Sequence, residues 1–125
     1  MVFFKKLFRT EEKAVAPQLP PWEKIVEIMH EKNPDGYADE VVAVIYSKDR
    51  SMRYVILHGE KGFFTYQLEV LYPYDEDEWS FIGTDRDALP AMWEPYSGAA
   101  GKSLFEKEEE LLKELREEPA YKLYF

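Results

Sequence analysis

The chain has 125 residues, 46% of them hydrophobic and 16% aromatic, which is enough apolar surface to build a core without a metal or disulfide staple. It has no cysteine, which excludes disulfides, thiolate nucleophiles and Cys-ligated zinc, and which suits a reducing compartment, the cytoplasm. Sixteen basic against 25 acidic residues leave a net charge of −9, which opposes the phosphate attraction behind nucleic-acid affinity, so nucleic acid is not the expected partner.

In residues 1–9, Phe3, Phe4, Leu7 and Phe8 alternate with Lys5, Lys6 and Arg9. The segment lacks the apolar run and cleavage site of a signal peptide and is short for a membrane anchor, so it reads as an end that packs on its own domain or on a neighbouring copy. No later stretch approaches the ~18 apolar residues of a membrane span, so no membrane partner is expected. From Thr10 to Pro21 the chain is charged, Ala-rich and interrupted by Pro17, Pro20 and Pro21, which reads as a linker. The expected organisation is a basic segment with a Pro/Ala linker over 1–20 and one α+β domain over 21–125. The first part carries a net charge of +2, so the domain carries −11.

Pro21 suits a first helical turn, and Trp22, Ile25, Val26 and Met29 follow at helical spacing, so a helix is predicted over 21–32. Asn33, Pro34, Asp35 and Gly36 end it in a turn. Val41 to Tyr46 is apolar on both alternating sets and reads as a strand covered on both faces. Tight connections at 47–51 and 59–62 lead to strands at Met52–His58 and Phe64–Val70, the latter with a wetter face carrying Thr65, Gln67 and Glu69. The acidic stretch 74–78 reads as a solvated hairpin loop, and Trp79 to Ile82 as a fourth strand. Residues 83–102 have no clean period. Ser103 and Glu106 match a capping box that would start a second helix, with Leu104, Leu111 and Leu115 on one stripe and Pro119 ending it. Tyr121, Leu123, Tyr124 and Phe125 are apolar enough to dock. The predicted fold is α+β, an antiparallel meander of about four strands packed by an N-terminal and a C-terminal helix.

Several residues carry candidate chemistry. Gly98 to Ser103 holds part of a phosphate-binding loop pattern. That pattern requires Gly five positions before the Gly101–Lys102 pair, where this chain has Tyr96, and a buried strand before the loop, for which Trp93 and Pro95 are poor material. The alternative is that the glycines shape a loop and Ser103 caps a helix. Asp75 to Glu78 and Glu108 to Glu110 lack the spacing and Gly of a calcium loop and read as solvated charge runs. His30 and His58 form no metal-ligand pair; His58 could act as a general base only if a carboxylate oriented it. Glu69 with Glu94 or Asp85 is the one carboxylate combination offered for glycosidic acid/base work.

Aromatics give the richest signal. Trp79, Trp93, Tyr96 and Tyr74, with Tyr72, cluster in or beside turn-rich segments and form the candidate recognition surface. The leading reading is therefore a non-enzymatic, acidic protein-binding domain without cofactor or metal, of the inhibitor or immunity type, acting on a basic partner. The alternative is a small enzyme or ligand-binding protein whose pocket lies between the sheet and residues 83–102.

Overall fold

The computed structural model describes residues 15–96 and 103–125. Its strands β1 (Glu40–Tyr46), β2 (Met52–His58), β3 (Phe64–Pro73) and β4 (Ala91–Pro95) form one antiparallel sheet in the order β1-β2-β3-β4. The helices are α1 (Trp22–His30), α2 (Glu76–Ile82), α3 (Glu108–Leu115) and α4 (Pro119–Tyr124). This is the mixed α+β fold that the sequence predicts, with helices toward both chain ends. The chain divides into two compact units, one of His30–Leu71 with Trp93–Phe125 and one whose described part is 15–29 with Tyr72–Met92.

In the first of these units, β2 pairs with both neighbours, and Arg53 through Leu57 are all buried. Alternation sends Tyr54 and Ile56 to one face, where they join Tyr66 and Leu68 of β3 and meet Leu111 and Leu115 of α3. Tyr54, Ile56, Leu68, Leu111 and Leu115 have no exposed surface. Phe105, Tyr121 and Phe125 extend this cluster, so the chain's end docks as predicted, although Leu123 and Tyr124 stay exposed. The β2–β3 hairpin turns through Gly62, whose φ of 87° is a conformation that favours glycine.

Four expectations change in this unit. β1 is the sheet edge and has no buried residue, so it is not covered on both faces; β2 takes that role. The wetter face of β3 is interrupted by Glu69, which is buried. Ser103 does not cap a helix: Phe105 exchanges two backbone hydrogen bonds with Phe64, which holds the chain extended there, and α3 starts beyond Lys107. Pro119 does not end that helix either but opens α4, where its missing N–H costs nothing.

In the other unit, Ile25, Val26 and Met29 are the buried face of α1, and Trp79 is buried on α2. Here the predicted fourth strand at 79–82 is a helix. Asp75 accepts from the Glu78 N–H while the Glu78 side chain accepts from the Asp75 N–H, a capping box that turns the acidic stretch into a helix start rather than a hairpin loop. Three acids in the first turn also complement the positive helix end. Gly83 follows, and a Cβ there would lie 2.5 Å from the Trp79 ring, so only glycine lets the indole lie against the helix end. The fourth strand forms instead at 91–95, inside the stretch predicted to be irregular. It is an edge strand, which is where Pro95 is tolerated.

Candidate functional site

The surface of α2 combines charge with uncovered apolar groups. Phe81 is 81% exposed, the most exposed large hydrophobic side chain described, and Ile82 beside it is also exposed. Helical spacing of three and four residues sets Phe81 and Ile82 next to Asp77 and Glu78. Tyr72, at the end of β3, donates its hydroxyl to Glu78 Oε1 at 3.0 Å and meets Tyr74 edge-on, with ring centroids 6.1 Å apart. The result is an acidic and aromatic strip in which each member is placed by a local cause: the capping box orients Glu78, and Glu78 orients Tyr72.

Behind the strip, Trp79 Nε1 donates to the Pro17 carbonyl at 2.6 Å, so residues 15–20 are strapped to α2. Strap and helix bound a cleft of about 480 Å³, floored by Pro17, Pro20, Ile28 and Trp79 and rimmed by Asp85 and Arg86. Its volume falls in the small-ligand range.

The unit carrying the core holds a second concentration of polar chemistry. Arg53, 1% exposed, donates through Nε to Glu69 Oε1 at 2.6 Å and through Nη1 to the Lys32 carbonyl at 2.6 Å. Its guanidinium lies 4.1 Å from the centre of the Trp93 ring. Tyr37 donates to the other carboxylate oxygen of Glu69 at 2.6 Å. Burial, and then this bond to a carboxylate, pushes the Tyr37 phenol well above its ordinary range. The carboxylate is thus held by two donors and the guanidinium by an anion, a carbonyl and a ring. A group so fully engaged is a structural fastening across β2, β3 and β4, not a poised acid or base.

The residues singled out from sequence fall into different places. Trp79 is buried, Tyr74 half-buried, Trp93 half-buried over Arg53, and Tyr96 exposed, with its N–H on the Leu68 carbonyl. Trp79 and Tyr74 belong to one unit and Trp93 and Tyr96 to the other. Glu69 is paired with Arg53, whereas Glu94 and Asp85 are exposed, and Asp85 accepts from the Asp87 N–H. His58 stacks on Phe64 with centroids 4.3 Å apart. His30 is half-buried rather than solvated, tilted against Tyr46 at 4.3 Å, with a buried Nδ1 that has no hydrogen-bond partner. Gly98 to Lys102 and the segment 1–9 lie outside the described residues. Sequence reasoning missed Phe81 and Arg53. The signals for them were the Asp75 to Glu78 capping pattern, which makes 79–82 helical, and the hairpin centred on Lys61, which sets Arg53 directly opposite Glu69.

Among the described residues, no group of three or more His, Asp or Glu is arranged to hold a metal ion, and no helix is long and apolar enough to cross a membrane. No family model matches the chain, and no curated protein or solved structure matches it.

Proposed function

We propose that this chain is a non-enzymatic, acidic protein-binding domain that receives a basic partner on the α2 strip, in the manner of an inhibitor or immunity-type protein. One observation carries the reading: Phe81 stands 81% exposed on a helix whose first turn is Glu76, Asp77 and Glu78. An uncovered aromatic ring costs solvation free energy unless a partner buries it, and the surrounding carboxylates select a partner of opposite charge. The absence of cysteine and the −9 net charge support a cytoplasmic setting and a protein rather than a nucleic-acid partner.

The reading is tested by affinity capture followed by binding kinetics with the captured protein at two salt concentrations. The partner is basic, added salt slows association, and Phe81→Ser speeds dissociation about 30-fold, the equivalent of a hot spot of ~2 kcal/mol. An acidic partner, or kinetics indifferent to both salt and Phe81, overturns it. If Trp93→Ala or Tyr96→Ala carries the loss instead, the interface lies at the β4 end. The cleft bounded by Trp79 and Pro17 supports a second reading, a small-ligand site. Saturable binding of an apolar probe that is lost on Arg86→Ala and unaffected by Phe81→Ser favours it.

A further inference from the structure

The cleft between the 15–20 strap and α2 has stiff walls and a largely apolar lining. Pro17, Pro20 and Pro90 line it, each with φ fixed by its ring, and the strap is fastened through the Pro17 carbonyl to Trp79 Nε1 at 2.6 Å. Walls of this kind lose little conformational freedom when a ligand enters, so little of the contact energy is offset by ordering. Ile28, Trp79 and Ala88 add to the apolar surface. The polar side chains of the lining are Thr84, Asp85 and Arg86. Thr84 donates its hydroxyl to the Phe81 carbonyl at 2.8 Å, and Asp85 Oδ1 accepts from the Asp87 N–H at 2.9 Å, so both are engaged in the turn that leaves α2. Backbone bonds from the Asp85 N–H to the Ile82 carbonyl and from the Ala88 N–H to the Asp85 carbonyl close that turn around Arg86. The Arg86 guanidinium itself makes no ion pair, hydrogen bond or ring contact among the described residues.

We propose that this cleft binds a small apolar carboxylate, with its hydrocarbon body against Trp79, Ile28 and the prolines and its carboxylate on Arg86. A guanidinium presents parallel N–H donors in a planar fork that matches a carboxylate. The charge of Asp85 is already partly satisfied by the Asp87 N–H, which leaves Arg86 as the unanswered charge of the lining. A neutral head group would leave it unanswered, and an ammonium would be repelled by it. The net charge of −9 opposes an approaching anion at long range, but salt screens exposed charges beyond ~8 Å at physiological ionic strength, so the neighbouring guanidinium decides. A volume of about 480 Å³, in the lower half of the ~300–1,000 Å³ range of small-ligand pockets, suits one ring or a short acyl chain. The proposal rests on the small-ligand reading of the cleft and is independent of the α2 strip, whose Phe81 is not a lining residue.

Phenylpropanoate, phenylpropanamide and phenylpropylamine share one hydrocarbon body and differ in charge. Each is titrated by calorimetry into the full chain and into the variants Arg86→Gln, Arg86→Lys, Ala88→Phe and Phe81→Ser, with circular dichroism confirming that each variant folds. Tryptophan emission is followed in parallel, because Trp79 lines the cleft. The carboxylate binds saturably and about tenfold more tightly than the amide, and the amine binds more weakly still. Arg86→Gln brings the carboxylate down to the affinity of the amide, and Arg86→Lys recovers part of the difference, since a point charge replaces the fork. Ala88→Phe fills the cleft and abolishes binding of all three, whereas Phe81→Ser changes none. An amide or amine that binds as tightly as the carboxylate, or a carboxylate indifferent to Arg86→Gln, overturns the proposal while the cleft itself stands as a site for another class of ligand. Failure of all three probes to bind, or binding that survives Ala88→Phe, overturns it together with the small-ligand reading.

Discussion

The unit built from His30–Leu71 and Trp93–Phe125 seals an apolar cluster and an ion pair in its interior, although Tyr96, Leu104, Leu123 and Tyr124 stay exposed on it, whereas the unit containing α2 leaves Phe81 uncovered on a helix whose first turn is acidic. The first has six hydrophobic side chains with no exposure, Tyr54, Val55, Ile56, Leu68, Leu111 and Leu115, and a carboxylate–guanidinium pair sealed among Tyr37, Lys32 and Trp93. The second buries one face of α1 and one indole, then presents Phe81 and Ile82 to solvent among acids. On the proposed reading, stability and recognition are drawn from different segments. A residue in the sealed unit should register chiefly in folding free energy, and one on the α2 strip chiefly in binding.

The largest expected effect comes from Glu69→Ala, which leaves the Arg53 guanidinium buried without its anion and costs about 3–5 kcal/mol in urea denaturation. Replacing both partners by apolar residues, Arg53→Met with Glu69→Leu, restores most of that loss. A mild effect of the single substitution would break the comparison at its root. Next is Gly83→Ala, in the other unit, where the new Cβ must displace the Trp79 ring and costs about 1–3 kcal/mol, with a change in tryptophan fluorescence. Phe81→Ser should change stability by less than about 0.5 kcal/mol, since the ring touches water rather than the interior. A larger loss would show Phe81 to be part of the fold and would remove the anchor from the proposed interface.

How much of this was legible in the sequence follows from the range of the interactions involved. β2, β3 and the turns between them declare themselves through alternation and glycine, and α1 through its apolar spacing, because these are local signals. Trp79 to Ile82 misleads because four residues are too few to show a period, so an apolar helix end looks like a short strand. The capping pattern that identifies the helix stands immediately before it, at Asp75 and Glu78. The same pattern at Ser103 and Glu106 fails, because Phe105 is claimed by a bridge to Phe64 from 41 residues away in sequence, an interaction no local rule contains. Glu69 looks solvent-facing from sequence for a similar reason: its partner lies on another strand, and only the register of the hairpin brings them together. The capping pattern makes 79–82 helical but does not say which side of that helix faces solvent, because a seven-residue helix has too little length to define a buried stripe, so the exposure of Phe81 is read only from the structure.

The smallest effect expected is at Asp49, in the turn that joins β1 to β2. Its carboxylate accepts from the Ser51 N–H, the Ser51 hydroxyl and the Ser47 hydroxyl, and it precedes Arg50, whose φ of 64° lies in the left-handed region. These hydrogen bonds, the Ser51 N–H first, hold its ionised form and lower its pKa below the ordinary value. A carboxyl group depressed in this way contributes stability that is fully present above its unfolded pKa near 3.9 and is lost as pH falls through the lower, folded value. The window therefore lies on the acid side of about pH 4. Asp49 is an exposed side chain, so solvent screens much of the gain, and the effect should appear as a change of slope rather than a displaced midpoint at neutral pH. Asp49→Asn retains an acceptor for the Ser51 N–H but no charge, so stability measured by denaturation from pH 5 to pH 2 should fall less steeply in that variant than in the wild type. Identical slopes would mean that the turn is held by Ser47 and the backbone alone, and that the end of β1 is ordered without the carboxylate.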